Sequence, residues 1–244
     1  MTYVQALTDV VDEVVAPGAV EVDRSGSFPR SQIAALGAAG LLALTVPQEL
    51  GGGGQGMRAA ATVVRELGAA CGSTAMIVMM HYSATAALIA GNRQESLREI
   101  ATGRHLTTLA FSEFGSRSHF WAPVSTATAQ GDDVLLDAQK SWVTAAGEAD
   151  SYVWSSRPLE VAGPMTLWLV PSDAEGLSVP SPFDGLGLRG NASSPVTADG
   201  VRVSSAAMLG KDGKPMPDLF VKDGLHLSPK GYTIWNEVVG KAMK

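Results

Sequence analysis

The chain has 244 residues, 45% hydrophobic and 17% charged, enough to bury one large core or two ordinary ones and too apolar for wholesale disorder. Its formal net charge is −6, with 24 acidic against 18 basic residues. That balance argues against nucleic acid as a partner, because phosphate contacts need clustered Lys and Arg. Lone Cys71 cannot form an internal disulfide, and His81, His105, His119 and His226 are scattered without metal-ligand spacing. No basic flank precedes an apolar run at the N-terminus. A soluble, metal-free protein of a reducing compartment, the cytoplasm, is expected.

The first two-fifths predict helices. Thr2 and Gln5 form a capping-box pattern. Tyr3, Leu7, Val10, Val11, Val14 and Val15 then recur at helical spacing, with Pro17-Gly18 expected to end that helix. A second helix starts at Pro29 and carries Ile33 and Leu36 to a stop near Gly40. A third places Ala60, Val63, Val64, Leu67 and Cys71 on one stripe. A fourth spans roughly 73–91, capped by Ser73 or Thr74, and a short fifth covers 95–101. Residues 69–92 carry no formal charge, so a membrane span must be weighed. His81, Tyr82 and Ser83 at mid-length, in an Ala, Gly, Ser and Thr background, favour a helix buried in a bundle, with no membrane partner. Gly51, Gly53 and Gly56 satisfy GxGxxG, but Pro47 interrupts the preceding run and no βαβ unit surrounds them. They read as a flexible turn between helices.

After Arg104 short β-type runs take over, at 106–111, 124–129, 134–137, 151–154, 165–170 and 196–203. Gly131-Asp132, Gly163-Pro164 and the stretch from Pro180 to Gly190 separate them. The fold class expected is α+β: an all-α domain over 1–105, then an antiparallel β-barrel domain over 106–210. From Lys211 the texture shifts again, with six lysines and a short helix over 231–243, in a tail of different origin over 211–244.

Chemistry-bearing residues gather in the β region. Phe111, Ser112, Glu113 and Ser116 close one strand, and Lys140-Ser141-Trp142-Val143-Thr144 closes another. Hydroxyls and backbone amides there could hold a planar polar ring with an indole at its edge. The same residues also suit ordinary strand and core positions. No GxSxG elbow is present.

The order of these elements resembles the acyl-CoA dehydrogenase family over about residues 1–210. Phe28-Pro29, then Leu36 to Leu42 and Pro47-Gln48-Glu49-Leu50-Gly51-Gly52, are similar to its N-terminal helical domain. Ala110 to Ser116 resembles the strand usually written Thr-Glu-Pro then Gly-Ser, and 140–144 resembles Lys-x-Trp-Ile-Thr. Gly187-Leu188-Arg189-Gly190, then Val201-Arg202-Val203 and Leu209-Gly210, follow in the family's order. The resemblance implies FAD as cofactor. Phe111 and Ser112 would lie at the strand end beside the flavin, with Ser112 at the pyrimidine edge. Ser116 would meet the pyrophosphate or the acyl thioester, Trp142 would pack by the ring, and Thr144 would sit near N5. Phe114 stands where the family has proline, and the segment from Glu113 to Ser116 is shorter than usual.

The implied reaction is α,β-dehydrogenation of an acyl-CoA-type substrate by a homo-oligomer, in which flavin takes a hydride and a glutamate takes a proton. That glutamate normally sits in a third, helical domain. Only 34 residues follow Gly210, so that domain is expected to be missing, no catalytic residue is assigned, and activity is left open. Glu113 matches a structural position and is not assigned as base. The alternatives are a flavin-dependent monooxygenase of the same fold and a non-catalytic interaction module. Residues 219–232 resemble the last block of SGNH (GDSL-type) esterases, with Asp223 and His226 as orienter and base. The earlier Gly-Asp-Ser and Gly-x-Asn-Asp blocks are absent, so esterase activity is not expected.

Overall fold

The computed structural model describes residues 2–117, 122–159 and 165–209. The tail over 211–244, its expected helix, Asp223 and His226 lie outside the described residues, as do His119 and the turn at Gly163-Pro164.

Thr2 caps the first helix by accepting a bond from the Gln5 amide at 3.3 Å. Helix α1 (Tyr3–Val10) runs through a π-helical stretch, Val11–Val15, directly into α2 (Ala16–Ser25). Pro17-Gly18 therefore does not end the helix. The proline falls in the first turn after a widened stretch, where the hydrogen-bond ladder is already shifted and its missing N–H is tolerated. Gly26, at φ +65°, supplies the stop. Helix α3 (Arg30–Ala38) follows Pro29. The glycine run beyond it is packed tightly rather than loose. Gly53, Gly54 and Gln55 donate their amides back to Ala43, Val46 and Leu44, and a Cβ on Gly52 would stand 2.2 Å from the Val46 carbonyl oxygen.

Helices α4 (Met57–Ala70), α5 (Gly72–Ala90) and α6 (Gln94–Ala101) complete the helical half. Neither Ser73 nor Thr74 caps α5. Ser73 Oγ accepts the Gly190 amide at 3.1 Å, and Thr74 donates to Gln32 Oε1. By length and composition α5 could cross a membrane, yet more than half of that window lies inside the protein. Its polar centre is fully engaged there.

The β half contains β1 (Thr107–Ala110), β2 (Thr126–Gln130), β3 (Asp133–Val143), β4 (Ser151–Ser156), β5 (Thr166–Pro171), β6 (Leu177–Ser178), β7 (Ser194–Ser204) and β8 (Met208–Leu209). They form two four-stranded sheets, in orders β1-β4-β5-β8 and β2-β3-β7-β6. This corrects the expected antiparallel barrel: the sheets stay separate, and β1 pairs with β4 in parallel. After β1 the chain leaves for the second sheet, builds β2 and β3, and returns with β4 running the same way as β1. One hydrophobic core joins the halves, including Leu36, Val63 and Ile77 from the helices and Tyr152, Val196 and Val203 from the strands. Gly190 seals the contact, since a Cβ there would lie 2.3 Å from Val22 Cγ1 and 2.8 Å from the Ser27 carbonyl oxygen.

His81 is a buried polar tie between the halves. Its Nδ1 accepts the Thr107 amide at 3.1 Å, so Nε2 carries the proton donated to the Leu42 carbonyl at 3.0 Å. Burial pushes its pKa down to about 4, against opposing backbone bonds to Leu42 and Thr107. An unfolded histidine titrates near 6.5, so below that pH the unfolded chain takes a proton that the folded one refuses until about pH 4. Folding stability should fall across this window by about 1.4 kcal/mol per pH unit, to a total of about 3 kcal/mol. Urea unfolding at pH 7, 6, 5 and 4 should show that slope in the wild type and a shallower one in His81→Gln.

Candidate functional site

The alternation along β3 buries Val134 and Leu136 and continues inward to Lys140. A lysine carried into a core needs a counter-charge, and Glu113 supplies it. The Lys140 ammonium donates to Glu113 Oε1 at 2.5 Å, to the Ser155 carbonyl at 2.6 Å and to Ser155 Oγ at 3.0 Å. Its three protons are thus all used. It also lies 5.0 Å from the centre of the Trp154 ring. Glu113 Oε2 accepts the Val124 and Ser125 amides, and Oε1 also accepts the Ser125 hydroxyl. Burial pushes the Glu113 carboxyl up, but the Lys140 charge and these hydrogen bonds outweigh it and hold it below its ordinary value. Burial lowers Lys140 to about 8. Both groups are ionised at neutral pH. Glu113 is committed to this pair and is not free to serve as a base.

The pair anchors two exposed features. On one side, the Glu113 carbonyl accepts both the amide and the hydroxyl of Ser116, at 3.2 and 3.0 Å, closing a turn with Gly115 at φ +86°. The amide of Phe114, the second residue of the turn, bonds the Gln139 carbonyl at 3.1 Å. On the other side, β3 carries an extra residue between Lys140, opposite Val196, and Val143, opposite Ser194. This bulge turns Trp142 to φ +57° and leaves it 70% exposed. The Trp142 indole meets the Phe183 ring edge-on, with centroids 6.4 Å apart and planes at 88°.

Between them opens a cavity of about 680 Å³, lined by Ser112, Phe114, Ser116, Ser141, Trp142 and Phe183 among others. Of the site residues expected from sequence, Ser112, Ser116 and Trp142 come together on this wall. Ser112 lends its carbonyl to the Ser141 amide at 2.9 Å. Thr144 is buried one step behind it, 3.2 Å from the hydroxyl of Ser193, which does line the cavity. Phe111 lies away from the cavity wall and packs on the smaller apolar cluster with Val153 and Leu209. Sequence reasoning overlooked Phe183, Ser193 and the pairing of Lys140 with Glu113. Among the described residues no group of His, Cys, Asp and Glu is placed to hold a metal.

Removing one partner of a buried pair strands the other charge. Lys140→Met should lower stability by about 3–5 kcal/mol, and adding Glu113→Gln should recover part of that loss. Chemical denaturation of the single and double variants measures the coupling.

Residues 2–104 match the acyl-CoA dehydrogenase N-terminal domain, and residues 108–201 match the acyl-CoA dehydrogenase middle domain. The probable acyl-CoA dehydrogenase YngJ of Bacillus subtilis is 28% identical over 237 residues, covering 92% of this chain and 61% of its own. The human mitochondrial short-chain specific acyl-CoA dehydrogenase is 31% identical over 217 residues, covering 86% of this chain and 52% of its own. The chain thus spans about half to three-fifths of these relatives. In fold it is similar to FMN- and indole-bound TdsC from Paenibacillus sp. A11-2, with a TM-score of 0.79, 24% identity, and coverage of 89% of this chain and 55% of that one. With both matched domains in their usual order and together taking up most of the sequence, the chain belongs to the acyl-CoA dehydrogenase family.

Proposed function

We propose that this chain is the flavin-binding part of an oxidoreductase that acts on an acyl-CoA-type thioester. The observation that carries the reading is Trp142, turned outward by a bulge in a backbone conformation that L-residues avoid, with its indole facing a cavity instead of the core. Residues held in such conformations concentrate at ligand sites. The cavity suits an isoalloxazine: it offers aromatic faces from Trp142 and Phe183 and hydroxyls from Ser112, Ser116, Ser141 and Ser193. Family membership supplies the flavin and the thioester. FAD is the form proposed.

In this reading Trp142 covers the ring, while Ser112 and Ser141, joined through their backbones, present polar groups to its edge. Thr144 acts through Ser193, fixing the orientation of that hydroxyl. When bound, the flavin supplies the hydride-accepting chemistry. The chain's own part is to bind, orient and shield the ring from water. The acyl-CoA-type substrate, homo-oligomeric assembly and a cytoplasmic setting belong to the same proposal.

Full-length protein mixed with FAD or FMN should retain yellow colour through desalting, with FAD preferred, and adding an acyl-CoA should shift the bound flavin's absorbance. Trp142→Gly should weaken flavin binding at least about tenfold through the loss of the aromatic face. It should leave the melting temperature unlowered, because glycine is at ease at positive φ. Protein that stays colourless with both flavins would overturn the proposal.

A further inference from the structure

Phe114 is 78% exposed, yet its backbone is held by hydrogen bonds on both sides. It follows a residue locked in a buried ion pair. Its amide is bonded to Gln139, and the turn that contains it is closed twice by Ser116. The second position of a turn whose third residue is a glycine near φ +80° ordinarily favours proline. A phenylalanine there adds nothing to the turn's geometry. With most of its surface exposed, it adds little to the core either. Its ring instead lines the cavity that also holds Trp142 and Phe183. These two are edge-on to each other, so they give the cavity walls of different orientation. Phe114 adds a third aromatic surface, carried on a separate, hydrogen-bonded turn.

We infer that Phe114 is a third aromatic wall of the flavin cleft, contacting the isoalloxazine independently of Trp142 and Phe183; this rests on the flavin reading above. The contact is one of shape and ring polarisation, with no proton or electron transferred. Offset or edge-to-face aromatic contact exceeds what an aliphatic chain of similar bulk provides. Replacing the ring with an aliphatic side chain should therefore weaken binding, whereas another ring should preserve it.

The test is flavin titration of full-length wild type, Phe114→Leu and Phe114→Tyr, followed by absorbance, with flavin-free melting curves as a folding control. Phe114→Leu should raise the FAD dissociation constant roughly 3- to 10-fold, and Phe114→Tyr should stay within about twofold of wild type. A second readout uses the ability of tyrosine and tryptophan, but not phenylalanine, to quench excited flavin on contact. In a Trp142→Phe background, adding Phe114→Tyr should dim the bound flavin's emission. Wild-type affinity in Phe114→Leu, or unchanged emission in the Phe114→Tyr double variant, would overturn the inference while leaving the flavin reading intact. Failure of the wild type to bind flavin would overturn both.

Discussion

The buried pair of Lys140 and Glu113 is the constraint on which the candidate site depends. Two charges withdrawn from water are tolerated only when mutual attraction and hydrogen bonds replace their hydration. Here the replacement is complete: every ammonium proton has an acceptor, Glu113 Oε1 accepts the Ser125 hydroxyl beside the lysine, and Oε2 accepts two backbone amides. Four stretches of chain meet at this point, around residues 113, 124–125, 140 and 155. Ser112 and Phe114 flank the carboxylate in sequence, and Ser141 and Trp142 follow the lysine. The exposed residues of the cavity are thus immediate neighbours of the most tightly specified polar centre in the β half, and their positions are inherited from it.

Backbone strain is distributed in keeping with that picture. Of the six non-glycine residues with positive φ among those described, Arg117, Trp142, Ala145, Leu188 and Ala192 sit on segments that run to or away from the cavity. A left-handed conformation persists only where its surroundings over-determine it. The bonds that do so are identifiable. The Ala145 amide is held by the Asn191 carbonyl at 2.9 Å, the Ala146 amide by the Ala192 carbonyl at 3.1 Å, and the Ser193 amide by Asn191 Oδ1 at 3.0 Å. Two strained loops brace each other, and Gly190 beside them is wedged against Val22 of α2. The helical half thus takes part in holding the cavity's rim.

Much of this was legible in the sequence, though unevenly. Helical periodicity located α3, α5 and α6 to within a residue or two, and the buried stripe of α4, because amphipathic spacing is a local property. The passage through Pro17 was not, since a π-helical widening leaves no mark in hydrophobic spacing. Alternation found the central strands but carries no information about strand direction, so the parallel pairing of β1 with β4 was out of reach. Lys140 was within reach: counting by twos from Val134 through Leu136 places it on the inward face, and an inward lysine calls for a carboxylate. What hid it was that the strand was expected to end at 137, whereas β3 continues to Val143. Phe183 gave no local signal, because it reaches Trp142 across 41 residues from a loop without periodicity.

The polar ties at the two ends of the β1 segment have opposite electrostatic demands. His81 connects α5, the Leu42 loop and the first amide of β1 only while its ring is neutral, because a second ring proton would face the Thr107 N–H donor and abolish the bond. At the other end of the β1 segment, Glu113 holds β3 only while both partners are charged. A single short strand therefore runs from a site that excludes charge to one that requires it. Both conditions hold together only where imidazole is deprotonated, carboxylate ionised and ammonium intact, a range bounded by the lowered pKa of His81 below and that of Lys140 above. Within that range the path of contacts from α5 through β1 to Lys140 is unbroken, and Trp142 stands two residues beyond it, on the β3 bulge.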